Sequence, residues 1–297
     1  HSIYVEVCGN PDGIPVIFLH GGPCSGCKPD HRRFFNPALY KIIIFDQRGC
    51  GRSLPFGEVE DNTTQDLIDD MERIRSHLEI AKWLVFGGSW GATLGLLYTQ
   101  QHADKVLGLV VRGVFLARQQ DMAWFAGNGV NRIYPQAWEQ LAGESNTQPA
   151  EVLIEDWWQA INHDDKDVGY RVASEWQAWI AQVAVGTAFS QSEQIIDETM
   201  KIAAIKQVRM ELHYAVNRYF IDEDQILVNC HLIGHLPITI IHGQYDLVCP
   251  LESALSLHRA LPGSEFIVLP NAGHIAQHAE MIDALVSATD RFASDQS

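Results

Sequence analysis

The chain has 297 residues and a formal net charge of −16 at neutral pH. Nucleic acids and anionic lipid surfaces attract clustered Lys and Arg, so this charge argues against both as partners. No apolar run approaches the roughly 18 residues needed to cross a bilayer, and six scattered cysteines favour a reducing cytoplasm.

The first part of the chain alternates short apolar runs with amphipathic stretches, which predicts a buried parallel sheet with crossover helices. Strands are predicted at 15–20, 41–46, 83–87 and 106–111. Between 63 and 78, apolar residues recur every three or four positions, as on one face of a helix. Thr63 followed by Asp66 predicts a capped start for that helix.

The pattern changes between Arg118 and His235, where strand-like runs disappear and six of the eight tryptophans occur. This composition predicts a helical insertion. Strands are predicted again at 237–243 and 265–269, and a helix at 281–293. We therefore expect a core at 1–117 and 236–297, interrupted by a helical cap at 118–235.

Ser89 lies in Gly87-Gly88-Ser89-Trp90-Gly91, a G-x-S-x-G pattern between a predicted strand and a predicted helix. This nucleophile elbow holds a serine hydroxyl at a sharp turn, clear of the surface. The context predicts an α/β-hydrolase fold, with a mostly parallel sheet flanked by helices and the cap inserted between strands. Ser89 is the predicted nucleophile.

A serine nucleophile needs a base and an orienting carboxylate, which follow it in the order Ser, Asp or Glu, His in this fold. Asp246 and His274 each follow a predicted strand in that order. His274 would take the Ser89 proton, and Asp246 would hold the imidazole tautomer. His242 lies inside a strand pattern and is interpreted as a core or strand-end residue.

The oxyanion of acyl transfer needs two backbone donors. The N–H of Trp90 supplies the first, directly after the nucleophile. Gly22 in His20-Gly21-Gly22-Pro23, after the first predicted strand, is the choice for the second, because the missing side chain lets the backbone approach the substrate.

Cys24 and Cys27 have the two-residue spacing of a zinc or redox pair. No second such pair and no matching His pair completes a tetrahedral site. We therefore expect neither a metal nor a cofactor.

The chain resembles the prolyl aminopeptidases, also called proline iminopeptidases, over nearly its whole length and more faintly in the cap. Asp46-Gln47-Arg48-Gly49 favours this family over general esterases. The other segments that carry the resemblance are His20-Gly21-Gly22-Pro23, Gly87-Gly88-Ser89-Trp90-Gly91, Gly243-Gln244-Tyr245-Asp246 and Ala272-Gly273-His274.

The resemblance implies release of an N-terminal proline through an acyl-enzyme on Ser89. It also implies three substrate-binding residues. Glu211 would grip the amino terminus, Tyr214 belongs to the same matching segment, and Arg132 corresponds to an arginine that acts electrostatically with the site carboxylates.

Two departures from the family concern the substrate. Ile180 stands where the family usually has a second carboxylate, and Ala215 stands where it has an aromatic residue. Glu175 or Asp224 would have to compensate for the missing carboxylate.

The leading interpretation is a cytoplasmic serine aminopeptidase acting on short peptides with a free N-terminal proline; the oligomeric state is left open. The enzyme alternative is a carboxylic-ester hydrolase with the same triad and a more apolar cap pocket. A binding protein that kept the fold without chemistry is a third possibility, although all three triad residues are present. A serine at the elbow disfavours an Asp-nucleophile dehalogenase or epoxide hydrolase.

Overall fold

The computed structural model describes residues 1–186 and 197–296. Seven strands form one sheet in the order β1-β3-β2-β4-β5-β6-β7, in which β1 runs antiparallel to β3 and all other neighbouring pairs are parallel. The strands are β1 (Val5–Gly9), β2 (Ile14–Leu19), β3 (Tyr40–Phe45), β4 (Trp83–Ser89), β5 (Val106–Val114), β6 (Ile238–Gly243) and β7 (Glu265–Leu269).

The strands are apolar on both faces because the sheet has a hydrophobic core on each side. Ile17 and Leu19 of β2 pack into one core, and their neighbours Val16 and Phe18 pack into the other. Successive side chains of a strand point to opposite faces, so a continuous apolar run is what a sheet covered on both sides requires.

α-Helices lie in the connections between strands from β3 onward, and one more helix follows β7. The first of them, α1, starts at the predicted cap, since Thr63 and Asp66 exchange side-chain and backbone hydrogen bonds. The helices are α1 (Thr64–His77), α2 (Trp90–Gln101), α3 (Gln119–Ala126), α4 (Pro135–Ala142), α5 (Ala150–Ile161), α6 (Lys166–Val185), α7 (Glu198–Val216), α8 (Gln225–Val228), α9 (Leu251–Ala260) and α10 (Ala279–Asp295).

Six of these helices, α3 to α8, lie between β5 and β6, and the described residues of this interval contain no strand. Their interior is a tryptophan cluster: the rings of Trp138 and Trp179 are 5.2 Å apart, and those of Trp157 and Trp176 are 5.3 Å apart. Large aromatic rings bury much apolar area per residue, which accounts for the concentration of tryptophan in this part of the sequence.

The predicted fold class is confirmed: a mostly parallel sheet flanked by helices, with helices inserted between two strands. The sequence analysis missed β1, a five-residue edge strand with a mixed burial pattern. Within the part of the chain that is described, every helix is too short or too polar to cross a lipid bilayer.

Candidate active site

Ser89 sits at the junction of β4 and α2 with φ 57° and ψ −126°. A positive φ is unfavourable for a residue with a side chain, so the surrounding structure has to enforce it. Two glycines do so. A Cβ on Gly87 would collide with the carbonyl oxygen of Gly91, and a Cβ on Gly91 would collide with the carbonyl oxygen of Leu19. The elbow therefore depends on backbone contacts that only glycine permits.

We expect Gly91→Ala to lower the free energy of unfolding by about 1–3 kcal/mol, because the new methyl group must displace backbone rather than a flexible side chain. At this chain length the melting temperature should fall by roughly 2–5 °C. Gly234→Ala is the matched control, since its Cβ would meet nothing closer than 3.8 Å. Equal melting temperatures for the two variants would contradict this account of the elbow.

Asp246 and His274 are joined directly. His274 Nδ1 lies 2.8 Å and 3.0 Å from the two oxygens of the Asp246 carboxylate. Asp246 is buried and also accepts hydrogen bonds from the backbone N–H groups of Val248 and Cys249. Burial alone would raise the pKa of Asp246, but the neighbouring His274 and these hydrogen bonds hold it below its usual value. An ionised Asp246 keeps the proton on Nδ1, which leaves Nε2 of His274 free to act as a base.

His242 is a buried strand residue, as its position in the sequence indicated. Its Nδ1 accepts the Val114 N–H at 3.2 Å, so its Nε2 carries the proton and donates to the Cys249 carbonyl at 2.8 Å. Burial lowers its pKa. The imidazole is neutral and braces the Asp246 loop.

One cavity of about 630 Å³ brings Ser89 and His274 together. Arg112 of β5 holds the histidine loop, because its Nη1 donates to the His274 carbonyl at 2.8 Å. Cys249 also lines this cavity, and burial raises the pKa of its thiol well above the usual value. A protonated, buried thiol does not compete with the serine as a nucleophile.

The loop that carries Gly22 is fixed by Gln47, a contact that the sequence did not reveal. Gln47 Nε2 donates to the His20 carbonyl at 2.9 Å, and Gln47 Oε1 accepts from the Trp90 indole at 2.9 Å. His20 Nδ1 in turn donates to the Gly21 carbonyl at 2.9 Å. A trans peptide points its N–H opposite to its carbonyl, so holding the Gly21 carbonyl also fixes the direction of the Gly22 N–H. Gln47, in the motif Asp46-Gln47-Arg48-Gly49, therefore contacts both the loop that carries Gly22 and the side chain of Trp90. These are the two residues predicted to supply the oxyanion donors.

Glu211 lines the same cavity, from helix α7. Its side chain is only 7 % exposed, and it accepts hydrogen bonds from the Trp176 indole at 2.7 Å and from Gln207 at 3.3 Å. Burial raises its pKa to about 7, although both hydrogen bonds act in the opposite direction. Within residues 1–186 and 197–296, no basic side chain forms an ion pair with Glu211, and the carboxyl group lines the cavity.

Two predicted substrate residues, Arg132 and Tyr214, do not line the cavity, so their roles stay predictions from the sequence. Arg132 ends a short 3-10 turn with an exposed side chain. Tyr214 is buried behind Trp90, with their rings 5.0 Å apart, and its hydroxyl donates to Asn62. Tyr214 follows Glu211 by three residues on α7, so the two side chains lie about 60° apart around the helix axis. Glu211 lines the cavity, whereas Tyr214 packs in the core.

The two departures from the family pattern lie in different places. Ile180 does line the cavity, but Ala215 is buried away from it. Neither of the compensating carboxylates considered, Glu175 and Asp224, lines the cavity. Among the described residues of helices α3 to α8 that line the cavity, Glu211 is therefore the one with a carboxylate.

Tyr219 is the aromatic wall residue that sequence reasoning missed. It lines the cavity, with its ring 4.9 Å from Phe115 and 5.5 Å from Trp90. Three consecutive residues, Arg218 to Phe220, have positive φ. No glycine or asparagine marks this turn after Asn217, so the sequence held no local signal for it.

The thiols of Cys24 and Cys27 donate to different backbone carbonyls. Cys24 Sγ donates to the Gly49 carbonyl at 3.6 Å, and Cys27 Sγ donates to the Phe45 carbonyl at 3.1 Å. All six thiols are free. Within residues 1–186 and 197–296, no group of three or more His, Cys, Asp or Glu side chains is arranged to hold a metal ion.

Solved structures with the same architecture include an esterase from Exiguobacterium antarcticum and a bromoperoxidase from Bacillus anthracis. The esterase has 18% sequence identity and a TM-score of 0.64, over 98% of this chain and 95% of that one. The bromoperoxidase has 19% identity and a TM-score of 0.63, over 99% and 95%. At these identities the likeness shows the fold alone.

Relatives found by sequence share a higher identity with this chain than these solved structures do. Proline iminopeptidase from Neisseria gonorrhoeae is 44% identical, over 98% of this chain and 92% of that protein. The proteins of the same name from Xanthomonas citri and Arabidopsis thaliana are each 42% identical, over 99% and 98% of this chain and 93% and 77% of their own lengths. The sequence model of the alpha/beta hydrolase fold matches residues 14–280. The chain therefore belongs to the proline iminopeptidase family of the α/β-hydrolase fold.

Proposed function

We propose that this protein is a serine aminopeptidase that releases N-terminal proline from short peptides. The observation that carries the proposal is Glu211, a buried carboxylate that shares one cavity with Ser89 and His274. A buried carboxylate is costly unless a cation or hydrogen bonds compensate for its desolvation. The cationic nitrogen of a free N-terminal proline supplies such a partner.

The reaction begins when His274 Nε2 takes the proton of the Ser89 hydroxyl as its oxygen attacks the prolyl carbonyl. The Gly22 and Trp90 N–H groups stabilise the resulting oxyanion. His274 then gives the proton to the departing amine, and the prolyl group stays on Ser89 as an ester. Water, deprotonated by His274, attacks that ester and releases proline.

The walls of the cavity suit a small apolar ring next to an amine. Tyr219, Phe115 and Phe125 contribute aromatic surface, and Ile180 adds an aliphatic side chain. The helices between β5 and β6 form one wall of the cavity, and we propose that residues 118–235 act as a cap that limits substrates to short peptides. A cytoplasmic location stays a prediction from the sequence.

The test compares a free prolyl arylamide with the same compound acetylated on nitrogen. Acetylation removes the cation and leaves the scissile bond unchanged. We expect kcat/KM to fall at least about 100-fold on acetylation, since a buried charge-assisted contact is lost and the bulkier group meets an unpaired carboxylate. Equal rates on the two compounds would overturn the proposal.

A carboxylic-ester hydrolase is the second candidate, favoured by Ile180 in the place of a family carboxylate. The same assay decides between the two functions if short acyl esters are included. Esters turning over far faster than every prolyl amide, with no effect of a free amine, would establish the esterase.

A further inference from the structure

The cavity carries opposite charges at two of its borders. Glu211 lines it on the side of helix α7. Lys28 and Arg33 line it on another side, from the loop after β2 and the short 3-10 helix Pro29–Phe34 that follows. This basic end is a local departure in a chain that has 37 acidic and 21 basic residues.

Two further titratable residues, Asp30 and His31, line the basic end. Burial, followed by the nearby His20, Lys28 and Arg112, lowers the pKa of His31 to about 4, so His31 is neutral at pH 7. Its ring stacks on Phe18 at 4.4 Å. Lys28 and Arg33 outnumber the one carboxylate, Asp30, and Arg112 is a further cation near His31 that lines the cavity, so this end has a net positive charge.

Ser89 also lines the cavity, and its neighbouring residues connect it to both ends. On one side, Trp90 follows Ser89 and packs on Tyr219, which lines the cavity together with Glu211. On the other side, a Cβ at Gly21 would lie 3.3 Å from Ser89 Cβ, and the Gly21 loop leads directly into the basic segment. Glu211, Ser89 and the basic segment line one cavity, so we expect a peptide with its amine at Glu211 and its scissile bond at Ser89 to extend its leaving part toward the basic segment.

We propose that Lys28 and Arg33 bind the α-carboxylate of the leaving part of the peptide, so that the preferred substrates are di- and tripeptides with both termini free. This inference rests on the proposed function, because it assigns the leaving-group side of the same reaction. Both cations are exposed, so each contact is weakened by solvent and by salt.

The test uses Pro-Gly and Pro-Gly-Gly, each as the free acid and as the carboxamide, with prolyl arylamide as a third type of substrate. In the wild type we expect a three- to tenfold higher kcat/KM for the better free acid than for its amide, as two exposed charge contacts allow. The preference should shrink toward unity between about 20 mM and about 500 mM NaCl. In Lys28→Met/Arg33→Met it should fall to about one at low salt.

The preference is a ratio within one enzyme preparation, so loss of folded protein cancels. Lys28→Arg/Arg33→Lys should keep it, and Lys82→Met/Arg171→Met, which removes two exposed charges away from the cavity, should keep it as well. A wild-type ratio near one with active cleavage of prolyl arylamide would overturn this inference alone, as would a ratio unchanged in Lys28→Met/Arg33→Met. No cleavage of any prolyl substrate would overturn the proposed function and this inference with it.

Discussion

We expect Ser89→Ala to lower kcat on prolyl substrates by roughly 10⁴- to 10⁶-fold, the range for removal of a serine nucleophile from a triad. Ser89 is the hydroxyl that the β4–α2 turn presents to the cavity opposite His274. No other group replaces it, because burial keeps the nearby Cys249 thiol protonated. The measurement is kcat on a prolyl arylamide, with the melting temperature recorded for each variant.

Ser76→Ala is the control for this substitution, since Ser76 is exposed on α1 and distant from the cavity lining. It should keep wild-type activity, and both variants should keep the wild-type melting temperature. A folded Ser89→Ala protein within tenfold of wild-type activity would show that another residue is the nucleophile.

The second large effect is a change in selectivity. We expect Glu211→Gln to lose about 10- to 100-fold in kcat/KM on substrates with a free amine, since a charge-assisted contact is worth about 1.5–3 kcal/mol. Short acyl esters, which carry no amine, should lose less than about threefold. The measurement is kcat/KM on one substrate of each kind with each enzyme.

Glu175→Gln is the matched control, because Glu175 is a carboxylate of the same helical region that does not line the cavity. It should leave both activities at wild-type values. Equal losses on amine and ester substrates in Glu211→Gln, or an equal selective loss in Glu175→Gln, would contradict the assignment of the amine site.

The raised pKa of Glu211 also predicts how the free energy of unfolding depends on pH. Its pKa in the folded protein is raised to about 7 from 4.5, so the unfolded state ionises more readily and wild-type stability falls as pH rises from about 4.5 to about 7. The loss amounts to about 3 kcal/mol at most. Glutamine does not ionise, so Glu211→Gln should gain stability relative to wild type between pH 5 and pH 8. The measurement is the free energy of unfolding in urea for both proteins at pH 5 and pH 8. If the difference in that free energy between the variant and the wild type is the same at both pH values, the raised pKa of Glu211 is contradicted.

The same ionisation predicts a pH dependence of activity. In the wild type, kcat/KM on free-amine substrates should rise through a pH near 7 as the free enzyme's Glu211 becomes negative. This limb should be absent from the Glu211→Gln profile and from the wild-type profile on esters. Superimposable profiles for the two enzymes would show that Glu211 does not titrate in this range.

The sequence predicted those parts of the molecule that local patterns determine. Apolar runs located six strands, and the order of Ser89, Asp246 and His274 at strand ends located three residues that the fold brings to one edge of the sheet. The edge strand β1 was missed because it is short and none of its five residues is fully buried. Local sequence patterns predict burial and turns well, but they predict contacts between residues that are far apart in the chain less well.

Side-chain direction in the inserted helices could not be predicted in the same way. Glu211 and Tyr214 are close on α7, yet one faces the cavity and the other packs against Trp90. Which face of a helix meets the cavity is set by its packing against other helices. For the same reason the sequence suggested Tyr214 as a substrate residue, although its side chain packs in the core.

The central claim is that Ser89 carries a prolyl group during turnover, and mass spectrometry of acid-quenched enzyme tests it most directly. A prolyl ester in excess would be mixed with the enzyme, quenched within the first turnovers and digested with trypsin. We predict the mass of one prolyl group on the peptide Trp83–Lys105, which contains Ser89, and none after reaction with the N-acetylated ester. Turnover with the prolyl group on another peptide, or equal labelling by the N-acetylated ester, would contradict the account.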